Sequence, residues 1–241
     1  MIKRLVIVLL SIALLVSVAQ AQDEGQVVEV AAADGLTLVG DYYAAGDEPA
    51  PAVLLMHMYG SQRSAWRPII PTLIEAGYAV LAVDLRGFGD TGGDEDFEAA
   101  QGDVQTWLDW LRQQPGVRAD AVSIMGASVG ANLALVGCAN DEGCVTVIAL
   151  SPGLDFYDVM PETAVAEGLR RRAVMLVASH GDTVSAEGVR QMTASARGEI
   201  NTRIFAGVAH GTNLFSSRRV YSRLLNMMVT WLDEQTPEPE A

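Results

Sequence analysis

Gly126-Ala127-Ser128-Val129-Gly130 follows the apolar run Val122-Ser123-Ile124-Met125 and precedes Ala131-Asn132-Leu133-Ala134-Leu135-Val136. The run before it reads as a short buried strand and the run after it as a helix. A serine between two glycines at such a junction has the form of a nucleophile elbow. The serine takes strained backbone angles, and the glycines let strand and helix pass closely enough to expose its hydroxyl. The competing reading is an ordinary helix N-cap, a position that favours serine. The rest of the chain must decide between them.

A serine hydroxyl is a poor nucleophile at neutral pH, so catalysis needs a base within hydrogen-bonding reach and an acid to orient that base. The chain has three histidines. His57 ends Leu54-Leu55-Met56-His57, His180 sits at the close of Val174-Met175-Leu176-Val177-Ala178-Ser179-His180, and His210 follows Arg203-Ile204-Phe205-Ala206-Gly207-Val208-Ala209. Two carboxylates stand after strand-like runs downstream of Ser128. Asp182 closes a Gly-Asp turn, and Asp155 ends Ser151-Pro152-Gly153-Leu154-Asp155.

Together with Asp84-Leu85-Arg86-Gly87-Phe88-Gly89, these segments make residues 27–232 resemble an α/β-hydrolase, in particular the small bacterial dienelactone-hydrolase-like group. Dienelactone hydrolases use a cysteine nucleophile and this chain has Ser128, so a dienelactone substrate does not carry over. The resemblance implies a triad running serine, acid, histidine along the chain, which selects Ser128, Asp182 and His210, with Asp155 as the rival acid. It also implies an oxyanion hole of two backbone N–H groups, each worth about 3 kcal/mol. Val129 supplies one by position. The second comes from the turn His57-Met58-Tyr59-Gly60, where Met58 stands at the usual glycine; Tyr59 ranks ahead of Met58 as donor. His57 and His180 then read as structural, and His180 has the alternative of tuning Asp182. Asp84 and Arg86 read as holding a turn. Gly87, Gly89, Gly92 and Gly93 form a loop without the lysine a phosphate-binding loop needs, so no nucleotide is assigned.

The chain opens with Lys3-Arg4, an apolar stretch and Ala19-Gln20-Ala21. That pattern predicts a secretory signal peptide over residues 1–21, with an uncleaved anchor as the alternative. Cleavage removes two positive charges and takes the formal net charge from -14 to -16. Such a surface repels nucleic acid and anionic membrane. The expected location is periplasmic or extracellular. Cys138 and Cys144 are the two cysteines and flank a polar turn. In an oxidising compartment they are placed to bridge, against the alternative of two buried thiols. Scattered histidines and the lack of a second cysteine pair argue against zinc, and no cofactor is expected.

Val28 and Val30, then Leu36 and Leu38, alternate about Asp34-Gly35 and predict an opening hairpin. Strands buried on both faces are predicted at 53–56, 79–83, 122–125, 145–150, 173–178 and 203–205. Helical spacing appears in Phe97, Ala100, Val104, Trp107, Leu108 and Leu111, and in Val220, Leu224, Met227, Met228, Trp231 and Leu232. A third helix carries Val189 and Met192, while Pro68 and Pro71 leave a helix near Trp66 undecided. The expected architecture is a three-layer α/β-hydrolase fold, with a mostly parallel sheet, helices on both faces and little or no cap. The domain spans 22–235 and residues 236–241 read as a disordered tail. Residues 152–172, after the sixth strand, leave room for only a small cap. An open site follows, suited to a small-molecule ester. The functional expectation is a secreted serine carboxylesterase, with a serine peptidase or a non-catalytic binding protein as alternatives.

Overall fold

In the computed structural model, which describes residues 25–46 and 48–239, eight strands form one sheet in the order β1-β2-β4-β3-β5-β6-β7-β8. They are β1 (Gln26–Ala31), β2 (Thr37–Tyr43), β3 (Ala50–Met56), β4 (Ala79–Val83), β5 (Val117–Ala127), β6 (Cys144–Leu150), β7 (Val174–Ser179) and β8 (Ile200–Phe205). The β1–β2 hairpin joins β4 antiparallel, and all other pairings are parallel. The helices are α1 (Ile70–Glu75), α2 (Phe97–Arg112), α3 (Val129–Asn140), α4 (Thr183–Ser195) and α5 (Tyr221–Gln235).

Alternation along the buried strands feeds two cores. In β3, Leu54 and Met56 face one side, where α2, α3 and α4 pack; Val53 and Leu55 face the other, with Trp66, α1 and α5. Both predicted tryptophans, Trp107 and Trp231, are buried there. The three layers therefore follow from strands that are apolar on both faces and helices with one apolar stripe.

The differences from the sequence reading have local causes. β5 begins at Val117, five residues early, because a register shift where Ala50 and Ala52 pair with it accommodates polar Arg118 and Asp120. That polar interruption hides the strand from a periodicity argument. β8 is an edge strand whose burial alternates, with only Phe205 fully buried, so it is not covered on both faces as predicted. Near Trp66 the chain makes a 3-10 turn, Arg63–Trp66, before α1. Pro71 lies in the first turn of α1, where a missing N–H breaks no intrahelical bond.

Asp84 and Arg86 hold the loop after β4. Asp84 accepts from the N–H of Arg63 at 2.7 Å and of Asp90 at 2.8 Å and pairs with the Arg63 guanidinium. Arg86 grips Asp103 of α2 through two bonds of 2.7 Å and reaches Asp34 at 2.8 Å. The C-terminal end of α3 is tied down too. Cys138 and Cys144 form a disulfide with a Cα–Cα distance of 5.3 Å, and Arg172 donates to the carbonyls of Cys138, Ala139 and Asp141.

After β6, residues 152–172 contain a tight turn bridging Phe156 and Val159 and a π-helical turn, Ala164–Gly168, with no inserted cap domain. The predicted signal peptide lies outside the described residues, as do Glu240 and Ala241 of the predicted tail. Within that tail, the carbonyls of Pro237 and Glu238 accept from Arg118. No helix among the described residues is long and apolar enough to cross a membrane.

Candidate active site

Parallel strands deliver their carboxyl ends to one edge of the sheet, and three of those ends carry the key side chains. Ser128 sits between β5 and α3 with φ 56° and ψ -121°, a conformation that costs a non-glycine residue of order 1–3 kcal/mol. Gly130 shows why its flank admits no side chain, since an added Cβ would run into the backbone carbonyls of His57 and Met56. The helix start thus lies directly against the end of β3. The strained backbone leaves Ser128 only 7% exposed yet turned toward the loops above the sheet.

His210 follows β8, and its Nε2 lies 2.7 Å from Ser128 Oγ. Its Nδ1 lies 2.8 Å from Asp182 Oδ2, in the turn between β7 and α4. A carboxylate only accepts, so Nδ1 carries the proton and Nε2 is free to take one from the serine. Asp182 stands at the N-cap of α4 without capping it, its side chain committed to the histidine instead. The structure therefore brings together the three side chains selected in the sequence. Asp155, the rival acid, accepts from the Asp158 N–H at 2.9 Å and holds the tight turn.

His57 is fully buried. Its Nδ1 donates to the Met58 carbonyl at 2.7 Å, and its Nε2 accepts from the Leu85 N–H at 3.0 Å. Burial holds its pKa below the ordinary histidine value, so the ring is a neutral strut between the ends of β3 and β4. Pinning the Met58 carbonyl has a consequence for the next residue. Across a trans peptide the Tyr59 N–H points the opposite way, and it donates to no described residue. The Val129 N–H, at the first position of α3, is likewise unpaired among the described residues. Met58 turns its sulfur to Gly211 and to the Thr212 hydroxyl at 3.7 Å, beneath the histidine loop. His180 is exposed at the strand end and its side chain makes no hydrogen bond among the described residues.

Three residues with a structural part in the site were not singled out from the sequence. Asn132, one turn beyond Ser128, donates to the carbonyls of Gly153 and Val159 and accepts from the Gly153 N–H, clamping the loop after β6. Ser151, at φ 53°, accepts from the N–H of Gly211 at 2.9 Å. Ser185 donates to the Ser151 carbonyl at 3.1 Å. Only the i, i+3 spacing of Ser185 after Asp182 was available as a signal. Around this center stand aromatic rings: Phe156 edge-on to His210 at 6.1 Å, and Tyr157 stacked on Tyr59 at 4.7 Å. Among the described residues no cluster of histidine, cysteine and carboxylates is arranged to hold a metal ion.

This sheet, with a strained serine at the turn between β5 and α3, has the α/β-hydrolase fold. More narrowly, residues 34–238 match the X-Pro dipeptidyl-peptidase (S15) family, and the chain belongs to it. The thiohydrolase aneE of Aspergillus aculeatus is 27% identical over 161 residues, which is 63% of this chain and 49% of that protein. The chain spans about half the length of the curated relatives it matches. An esterase of Pyrococcus furiosus superposes with a TM-score of 0.78 at 19% identity, covering 89% of this chain and 92% of that one. A dienelactone hydrolase from Anabaena variabilis gives 0.72 at 19% identity, covering 89% and 100%. At such identities the two structures speak to the fold.

Proposed function

We propose that the protein is a serine carboxylesterase acting on small or exposed esters through an acyl-enzyme. The observation that carries this reading is the continuous chain of two hydrogen bonds, 2.7 Å from Ser128 to His210 and 2.8 Å from His210 to Asp182. Ser128 Oγ forms a bond to the ester carbonyl carbon as its proton passes to His210 Nε2. Asp182 holds the Nδ1 proton and stabilises the imidazolium. The N–H groups of Val129 and Tyr59 take the oxyanion. Collapse breaks the bond to the alkoxy oxygen, which leaves with the histidine proton; water repeats the sequence on the acyl-serine and releases the acid.

The modest segment 152–172 favours a substrate that does not need enclosure. The predicted leader, the disulfide and the acidic surface support export to the periplasm or beyond, with residues 22–235 as the working domain and no call for nucleic acid. Membership of the S15 family favours a second reading, a peptidase cleaving after proline with the same residues.

Rates on p-nitrophenyl acetate and on an Ala-Pro p-nitroanilide decide between them. The esterase reading expects kcat/KM on the ester to exceed that on the anilide by at least about a hundredfold; comparable or reversed values would favour the peptidase.

A further inference from the structure

Ser185 is fully buried, and its hydroxyl proton is committed to the Ser151 carbonyl at 3.1 Å. Its oxygen therefore turns a lone pair toward what lies on its other side. That neighbour is His210 Nδ1, at 3.5 Å, the nitrogen whose proton is already shared with Asp182 at 2.8 Å. Ser151 is held where it can serve this purpose. Its φ of 53° turns the chain sharply at the end of β6, and its own hydroxyl accepts from the N–H of Gly211, the residue after the histidine. One serine thus fixes the histidine loop through its side chain and orients a second serine through its carbonyl.

We infer that Ser185 is a positioning residue for the base, a second acceptor on the Nδ1 side of His210 whose dipole favours the protonated imidazole. This inference rests on the triad reading and adds to it a determinant of the base strength. A hydrogen bond to an ionised donor is stronger than to a neutral one, so an acceptor at this point makes His210 a better base toward Ser128. The 3.5 Å separation makes the effect small beside that of Asp182. Other groups on the neighbouring elements do not duplicate it. Asp155 is turned to the Asp158 N–H, His180 is exposed at the end of β7, and Phe156 presents an apolar ring to the imidazole.

Two variants of the full chain test the assignment. Ser185→Ala removes the acceptor. Ser151→Gly suits the positive φ, removes the hydroxyl that holds Gly211 and leaves the carbonyl that orients Ser185. Both are checked for wild-type folding by thermal melting and then followed in the pH dependence of kcat/KM on p-nitrophenyl acetate. The histidines of the ligand-free protein are titrated in parallel by NMR, with the His210 signal assigned by its loss in His210→Gln.

In Ser185→Ala the midpoint of the acid limb and of the His210 titration should both fall by about half a pH unit, with kcat down roughly threefold and KM unchanged. In Ser151→Gly both midpoints should stay in place. A folded Ser185→Ala with wild-type midpoints would overturn the assignment, and so would an equal displacement in Ser151→Gly, which would trace the effect to a loosened loop. If the wild type hydrolyses no ester and His210 titrates alike in all three proteins, the triad reading falls and takes this one with it. An inactive wild type whose His210 still responds to Ser185→Ala alone would leave Ser185 its role and refute the esterase.

Discussion

The two ends of α3 are built on opposite principles. At the N-terminal end the backbone is strained at Ser128, packed without side chains against the end of β3, and left with an unpaired N–H on Val129. At the C-terminal end the last carbonyls are satisfied by Arg172, Asp141 is gripped by Arg112 through two bonds of 2.7 Å, and a disulfide closes the turn into β6. A strained conformation persists only where its surroundings over-determine it. The helix is thus anchored at the end remote from the proposed chemistry, and the open donor and the Ser128 hydroxyl stand at the other. If the proposed site is right, the disulfide-bonded end of this twelve-residue helix can be weakened without loss of activity, whereas the elbow end cannot.

The contrast breaks most sharply at the elbow. Ser128→Ala and His210→Ala should each lower turnover by at least about a thousandfold while melting like the wild type, read by steady-state hydrolysis and circular dichroism. Gly130→Ala tests the packing beneath the serine. Its methyl group meets two backbone carbonyls that have nowhere to go, so urea unfolding should report a loss of more than about 2 kcal/mol together with most of the activity.

The far end should behave in reverse. Replacing Cys138 and Cys144 together with serine should cost about 2 kcal/mol in urea unfolding and leave kcat at 25 °C within about twofold of wild type. A large fall in kcat there would show that the two ends are coupled.

His57 sharpens the comparison on the β3 side of the elbow. Its folded pKa is depressed by burial, so on acidification the unfolded chain takes up this proton first, near its ordinary value of 6.5, and stability is lost as pH falls below that point. Between pH 7 and 5 the melting temperature should therefore fall more in the wild type than in His57→Gln. The smallest effect is expected at His180→Ala, with kcat within about twofold; a loss matching His210→Ala would mean that the base had been misassigned.

Much of this arrangement was legible in the chain because chemistry imposes local patterns. An elbow needs glycines two residues to either side of its serine, a strand covered on both faces needs unbroken apolar residues, and Asp182 and His210 follow the last two strands. What stayed hidden depends on contacts distant in sequence. Ser151 and Ser185 are unremarkable serines until the fold brings them to the histidine loop, 60 residues beyond Ser151 in the case of Gly211. Asn132 looks like any polar residue in an apolar helix until the loop after β6 folds over it. The first half of β5 was hidden for the opposite reason, its register shift allowing charged residues into a strand.

The central claim is that Ser128 is an activated nucleophile. The most direct measurement is to expose the purified chain to a fluorophosphonate, which needs no knowledge of the substrate, and to locate the adduct by mass spectrometry beside a folded Ser128→Ala control. The account predicts one adduct, on Ser128, absent from the control and slowed by His210→Ala. A folded wild type that remains unlabelled, or is labelled elsewhere, would contradict it.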